Sequence, residues 1–161
     1  MKILVAAHHD ELLQKPVDRL SGALRELGHE VEAFFFPFNF ESLNILPQFF
    51  GLRLMELNCW SDVFLSISPI TDVADHRQKI IWRLSDDLVF ALGSSSPSFV
   101  GMNAAIAEAR AVFCATKRTQ REMKEVGVPA KLLPFPSDDD VAWRGVANSL
   151  VQGITLTGGG A

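Results

Sequence analysis

A chain of 161 residues, 48% of them hydrophobic, is long enough to bury one core and too short for two full domains. A charged fraction of 21% together with 12 Phe excludes a disordered chain. A net charge of −4 gives no electrostatic basis for general nucleic-acid binding.

Lys2 to Ala7 is a continuous apolar run, the pattern of a strand in a sheet covered on both faces. The polar turn His8-His9-Asp10-Glu11 follows. Residues 16–27 carry Val17, Leu20, Ala23, Leu24 and Leu27, which share one face of a 3.6-residue helix. Pro16 suits the first turn of that helix, where its missing N–H costs nothing. Gly28 suits the left-handed position that closes it. A second strand runs from Glu30 to Phe36 and stops at Pro37. A right-handed crossover makes the two strands parallel. The unit predicts an α/β protein, a three-layer α/β/α sandwich on a Rossmann-like, mostly parallel sheet of about six strands.

Open α/β sheets hold ligands beyond the carboxyl ends of their strands, which makes His8, His9 and Asp10 candidate ligand-binding residues. The loop has neither GxGxxG nor GxxxxGK[ST], so it matches no dinucleotide or P-loop pattern. A metal site is disfavoured, because neighbours in sequence rarely converge on one ion. The plain alternative, a polar loop that caps the helix or faces solvent, stays open.

Seven Phe fall between residues 34 and 50, in the run FFFPFNF and after Pro47. Pro47 opens a predicted helix with Phe50, Leu54 and Leu57 on its apolar side, joined by Phe49 and Met55. Three readings of the Phe run compete: core, a face that meets another domain or subunit, and peripheral contact with a membrane surface. The last is weakest, since Arg53 is the one basic residue nearby. Asp62 to Ser68 is a third predicted strand and residues 79–84 a fourth. Asp72, Asp75 and His76 lie in the turn between them, at the opposite sheet end from the Ser68 side, and read as solvated. Ser85, Asp86 and Asp87 leave the fourth strand at the same edge as His8 and Asp10. Ser85 and Asp86 join the candidate ligand-binding set, although an Asp pair at a helix start is also an ordinary cap. The SSSPS segment behind them has the composition of a mobile loop.

A helix from near Phe99 to Arg110 leads to a fifth strand, Ala111 to Ala115. Thr116 suits the N-cap of the next helix and Gly127 its closure. Lys117, Arg118, Arg121 and Lys124 make its outer face basic, but Glu122 and Glu125 are interspersed, and a solvated face is the expectation. A sixth strand spans Lys131 to Phe135. Asp138 to Asp140 reads as a surface turn or helix cap. Residues 1–150 are expected to form a single domain, and residues 151–161 a flexible tail or linker remnant. Cys59 and Cys114, 55 positions apart, are expected to be buried thiols rather than a disulfide. No stretch approaches the ~20 apolar residues of a spanning helix, and the amino end lacks a signal-peptide pattern. A cytoplasmic location is the expectation.

Four pieces of the chain, covering residues 1–136, resemble the amino-terminal Rossmann-like domain of a GT-B glycosyltransferase of the retaining, family 4-like kind. They are MKILVAAHH, LSGALRELGHEVEAFFFPF, KIIWRLSDD and AEARAVFCATKRTQREMKEVGVPAKLLPFP. The resemblance implies transfer of a glycosyl group from a nucleotide sugar to an acceptor hydroxyl, with no cofactor and no required metal. It implies that this domain holds the acceptor while a second domain holds the donor. His8, His9 and Asp10 would then lie beside acceptor and donor phosphates, and Ser85 would stand where the family often has a functional His. The chain departs from the pattern in lacking the Gly pair of the first loop and the Glu-x7-Glu of the donor domain. These departures imply a domain inactive alone, with no catalytic residue assigned, working with a donor-binding domain or subunit. The alternative is a non-enzymatic small α/β protein acting through homo-oligomerisation or partner binding.

Overall fold

The computed structural model describes residues 1–8, 11–36, 48–67, 79–83, 109–125 and 127–156. Strand β1 (Lys2–His8) leads to α1 (Glu11–Glu26), β2 (Glu30–Phe36), α2 (Gln48–Trp60), β3 (Val63–Ser66) and β4 (Lys79–Arg83). Then come β5 (Ala111–Cys114), α3 (Lys117–Glu125), β6 (Ala130–Leu132) and α4 (Asp140–Leu156). The result is an alternating α/β fold, coarsely Rossmann-like. The strand order is β2-β1-β3-β4-β5-β6, with every pairing parallel. The group β2-β1-β3 and the pair β5-β6 are joined through β4, whose ladder to β3 pairs Phe64, Leu65 and Ser66 with Lys79, Ile80 and Ile81.

The two-residue period of the strands divides the core. Ile3, Val5 and Ala7 of β1, Val63 and Leu65 of β3 and Phe113 of β5 pack with Val17, Leu20 and Leu24 of α1 and Trp143, Val146 and Leu150 of α4. On the other face Leu4, Ala6, Phe34 and Phe64 meet Leu57 of α2, while Val112 and Cys114 meet Met123 of α3. Burial on both faces is why Ile3 to Ala7 of β1 are all apolar. Each buried aliphatic or aromatic side chain contributes about 1.5–3 kcal/mol by leaving water. Phe34 and Phe35 are thus core residues, Phe35 packing against the α1 side. The remaining Phe of the 34–50 run have no described side chain.

Four helix ends follow the sequence signals: the carboxyl ends of α1 and α3 and the amino ends of α3 and α4. Gly28 and Gly127 have φ of 86° and 80°, the left-handed conformation that glycine adopts without strain. At both, the next residue's N–H reaches back five positions: His29 to the Leu24 carbonyl, and Val128 to the Met123 carbonyl. The Thr116 hydroxyl accepts the Thr119 N–H at 3.1 Å as the N-cap of α3. At α4 the Asp139 carboxylate accepts the Ala142 N–H at 2.8 Å, so the acidic run is a helix cap. The Ser137 hydroxyl and that N–H hold the Asp139 carboxyl below the usual carboxylate range.

Four expectations are corrected. Helix α1 begins at Glu11, so Pro16 lies inside it rather than in its first turn. Leu13 packs on the core from the added turn, and that tertiary contact extends the helix past the proline. Residues 151–156 belong to α4, with Ile154 only 4% exposed, instead of to a tail. Met55 is exposed, since Leu54 and Leu57 turn the other side of α2 to the sheet. Cys59 is an exposed thiol and only Cys114 is buried; both are free.

Helices α1 and α4 lie side by side and are stitched by exposed ion pairs. Lys15 reaches Asp138 at 2.5 Å, Arg19 reaches Asp140 at 2.5 Å, and Arg144 reaches Glu26 at 2.7 Å. Exposed pairs of this kind fix register more than they stabilise. The Lys15 hydrogen bond, helped by Arg19, lowers the Asp138 carboxyl.

His29, between α1 and β2, has a buried Nδ1 with no hydrogen-bond partner among the described residues. Desolvation, and then the nearby amino-terminal charge, pushes its pKa below the ordinary 6.5. The unfolded chain therefore binds a proton more readily than the folded one. Stability from this group is full above about pH 6.5 and falls as the pH drops below it. Urea midpoints for His29→Gln are expected to change less between pH 7.5 and pH 5.5 than those of the parent. Equal slopes for the two proteins would contradict the assignment.

Candidate functional site at the carboxyl edge of the sheet

Because all strands run the same way, their carboxyl ends share one edge. The crossover through α1 carries the chain from β1 to β2 on one side, and the crossover through α2 returns it to β3 on the other. The carboxyl ends of β1 and β3 are therefore a topological switch point, where an open α/β sheet leaves a crevice.

The register places the strand ends that lead into the two predicted loops on either side of it. Ala6 lies opposite Ser66, and Ser66 opposite Ile81. His8 and Arg83 each lie two residues further on, so their backbones stand at one level with the line of β3 between them. With strands about 4.8 Å apart, the separation is about 10 Å. His8 is the last residue of β1, paired in register with Phe36. His9 and Asp10 span the gap from β1 to α1, and Ser85 begins two residues after β4. The roots of both loops thus meet at one edge. His9, Asp10, Ser85, Asp86 and Asp87 themselves lie outside the described residues, as do Asp72, Asp75, His76 and the SSSPS segment.

Chain at this edge is well buried. Ser66 is 2% exposed and Ile67 is 1% exposed. The Ile67 N–H donates to the Ala6 carbonyl at 2.9 Å, carrying the β1–β3 ladder to the rim. Helix α1 starts three residues after His8, so its amino-terminal N–H groups and positive dipole end lie at the same edge. Such a rim can hold a polar or partly anionic ligand by hydrogen bonding. Among the described residues, no group of three or more His, Cys, Asp or Glu could hold a metal ion.

A second concavity lies at the opposite edge, near the amino ends of β5 and β6. Arg121 and Lys124 of α3 line it together with Arg110 and Lys131. Of the basic face expected to be solvated, Arg118 does pair with Glu122 at 3.0 Å. The sequence signal for the cavity is a cation beside the start of each of two strands, Arg110 before Ala111 and Lys131 after Ala130.

Among the described residues, no helix is long and apolar enough to cross a membrane. No protein-family model matches this chain, and no curated protein matches it.

Proposed function

We propose that this chain is the acceptor-side domain of a GT-B-type glycosyltransferase, moving a glycosyl group from a nucleotide sugar to an acceptor hydroxyl. The observation that supports the reading is the convergence of the β1 and β4 loop roots, at one level, beside the β1–β3 switch point. In this reading the fold is the three-layer Rossmann-like sandwich of that family. His8, His9 and Asp10 form one wall of the acceptor cleft and Ser85 with Asp86 the other. Imidazole, hydroxyl and carboxylate groups suit a polyhydroxylated acceptor, because each donates or accepts hydrogen bonds with sugar-like hydroxyls. The chain supplies one side of the cleft, so turnover requires a donor-binding domain or subunit.

Purification from the native source, followed by mass measurement of the intact species, tests the proposal. A second polypeptide with a sugar-nucleotide domain is expected to accompany the chain. A homo-oligomer of unextended chains would overturn it. That outcome would favour the second reading, a non-enzymatic self-associating protein, for which Leu52 and Met55, 62% and 64% exposed on α2, provide an apolar surface.

A further inference from the structure

We propose that the cavity at the amino edge of β5 and β6 is a binding site for a phosphorylated small molecule. It is separate from the crevice described above, since it lies at the other end of the strands. Three segments distant in sequence bring cations to it: Arg110 at the entry to β5, Arg121 and Lys124 from α3, and Lys131 from β6. Among the described residues that line it, none is a carboxylate. In a chain of net charge −4, four of the 15 Lys and Arg surround this one cavity. Cations gathered around a concave, low-dielectric surface focus positive potential there.

The remaining lining defines the rest of the ligand. Val112, Pro129 and Ala130 give an apolar floor, suited to a ring or carbon skeleton. The Gln120 side chain donates to the Ala130 carbonyl at 3.0 Å, which fixes it across the seam between α3 and β6. Arg121 Nε donates to the Lys117 carbonyl at 3.4 Å, which restrains the stem and directs the donor role to the terminal guanidinium nitrogens. Guanidinium and ammonium groups together are the usual partners of phosphate oxygens. The volume, about 610 Å³, falls in the range of small-molecule pockets, roughly 300–1,000 Å³. A concave site with an apolar floor differs from the extended basic stripe that tracks a nucleic-acid backbone.

Calorimetric titration of the full chain with inorganic pyrophosphate, a nucleoside diphosphate and the corresponding free nucleoside tests the assignment. Saturable binding is expected for the two phosphorylated probes, weakening as salt rises, and none for the nucleoside. The double variant Lys124→Glu/Lys131→Glu is expected to weaken binding by about tenfold or more, since it replaces two attractive charges with two repulsive ones. Lys124→Arg/Lys131→Arg should retain binding, and Lys117→Glu, outside the cavity on the same helix, should leave it unchanged. Lys117, Lys124 and Lys131 are all exposed, and far-UV circular dichroism checks that each variant folds. The proposal is overturned by absence of saturable binding to either phosphorylated probe. It is equally overturned if Lys117→Glu weakens binding as much as the double variant, or if a single-stranded oligonucleotide binds more tightly with increasing length while pyrophosphate does not bind.

Discussion

Trp143→Ala is expected to lower unfolding free energy by about 3–5 kcal/mol, the range for deleting a buried large aromatic. Trp143 is 3% exposed and sits in the first turn of α4, where that helix meets α1 and the sheet. Phe135 meets it edge-to-face, with ring centroids 5.4 Å apart and planes at 86°. Such a pair adds about 0.5–1.5 kcal/mol beyond the buried area. The Asp139 cap and the exposed ion pairs around the indole are tied to the backbone on either side, so the hole cannot close by sliding α4 without breaking them. Against a typical total of about 5–15 kcal/mol, the loss approaches the whole stability of a small domain. Urea unfolding should show a much lower midpoint at an unchanged slope. Trp143→Phe, which keeps a ring in the site, should recover a large part of the loss. A change below ~1 kcal/mol for Trp143→Ala would show that α4 contributes little to the core.

Local chemistry made some elements legible and hid others. The apolar run of β1, the helical face of Val17, Leu20 and Leu24, the closures at Gly28 and Gly127 and the cap at Thr116 are all written in adjacent residues, and all appear where expected. The start of α1 is different. Pro16 normally marks a first turn, and only the contact of Leu13 with the core carries the helix back to Glu11. Exposure of Cys59 is hidden for a related reason: α2 carries apolar residues all round, so periodicity alone does not choose its buried side. Strand direction makes the carboxyl ends of β1 and β4, at His8 and Arg83, predictable at one edge. The basic cavity is not predictable that way, because Arg110 and Lys131, 21 positions apart, meet only through the β5–β6 pairing.

The carboxyl-terminal helix is the sharpest case, and Gly153 tests it. Trp143, Val146, Ala147, Leu150 and Ile154 form a helical stripe, but Gly145 and Gly153 lower helix propensity and GITLTGGGA reads as a tail. In the structure a side chain added at Gly153 would place its Cβ 2.6 Å from Phe113 Cζ and 3.2 Å from Cε2. Phe113 is 3% exposed and its strand is paired on both sides, by β4 and β6, so the ring has no room to withdraw. Gly153 is therefore the residue that lets α4 lie close against β5. Gly153→Ala combines a helix-propensity gain of about 1 kcal/mol with an overpacking cost of about 1–3 kcal/mol, and a small net loss is expected. Gly153→Val adds two more methyl groups and a β-branch, and about 3 kcal/mol of destabilisation or more is expected. Shortening Phe113 to Ala should relieve part of that cost, giving a coupling of about 0.5–3 kcal/mol in the double-mutant cycle. If residues from 151 onward formed a tail, Gly153→Val would be neutral and its effect would add independently to that of Phe113→Ala. Truncation after Val151 separates the two pictures a second way: it removes buried Ile154, expected to cost about 2–5 kcal/mol if the helix packs as described and nothing if it does not.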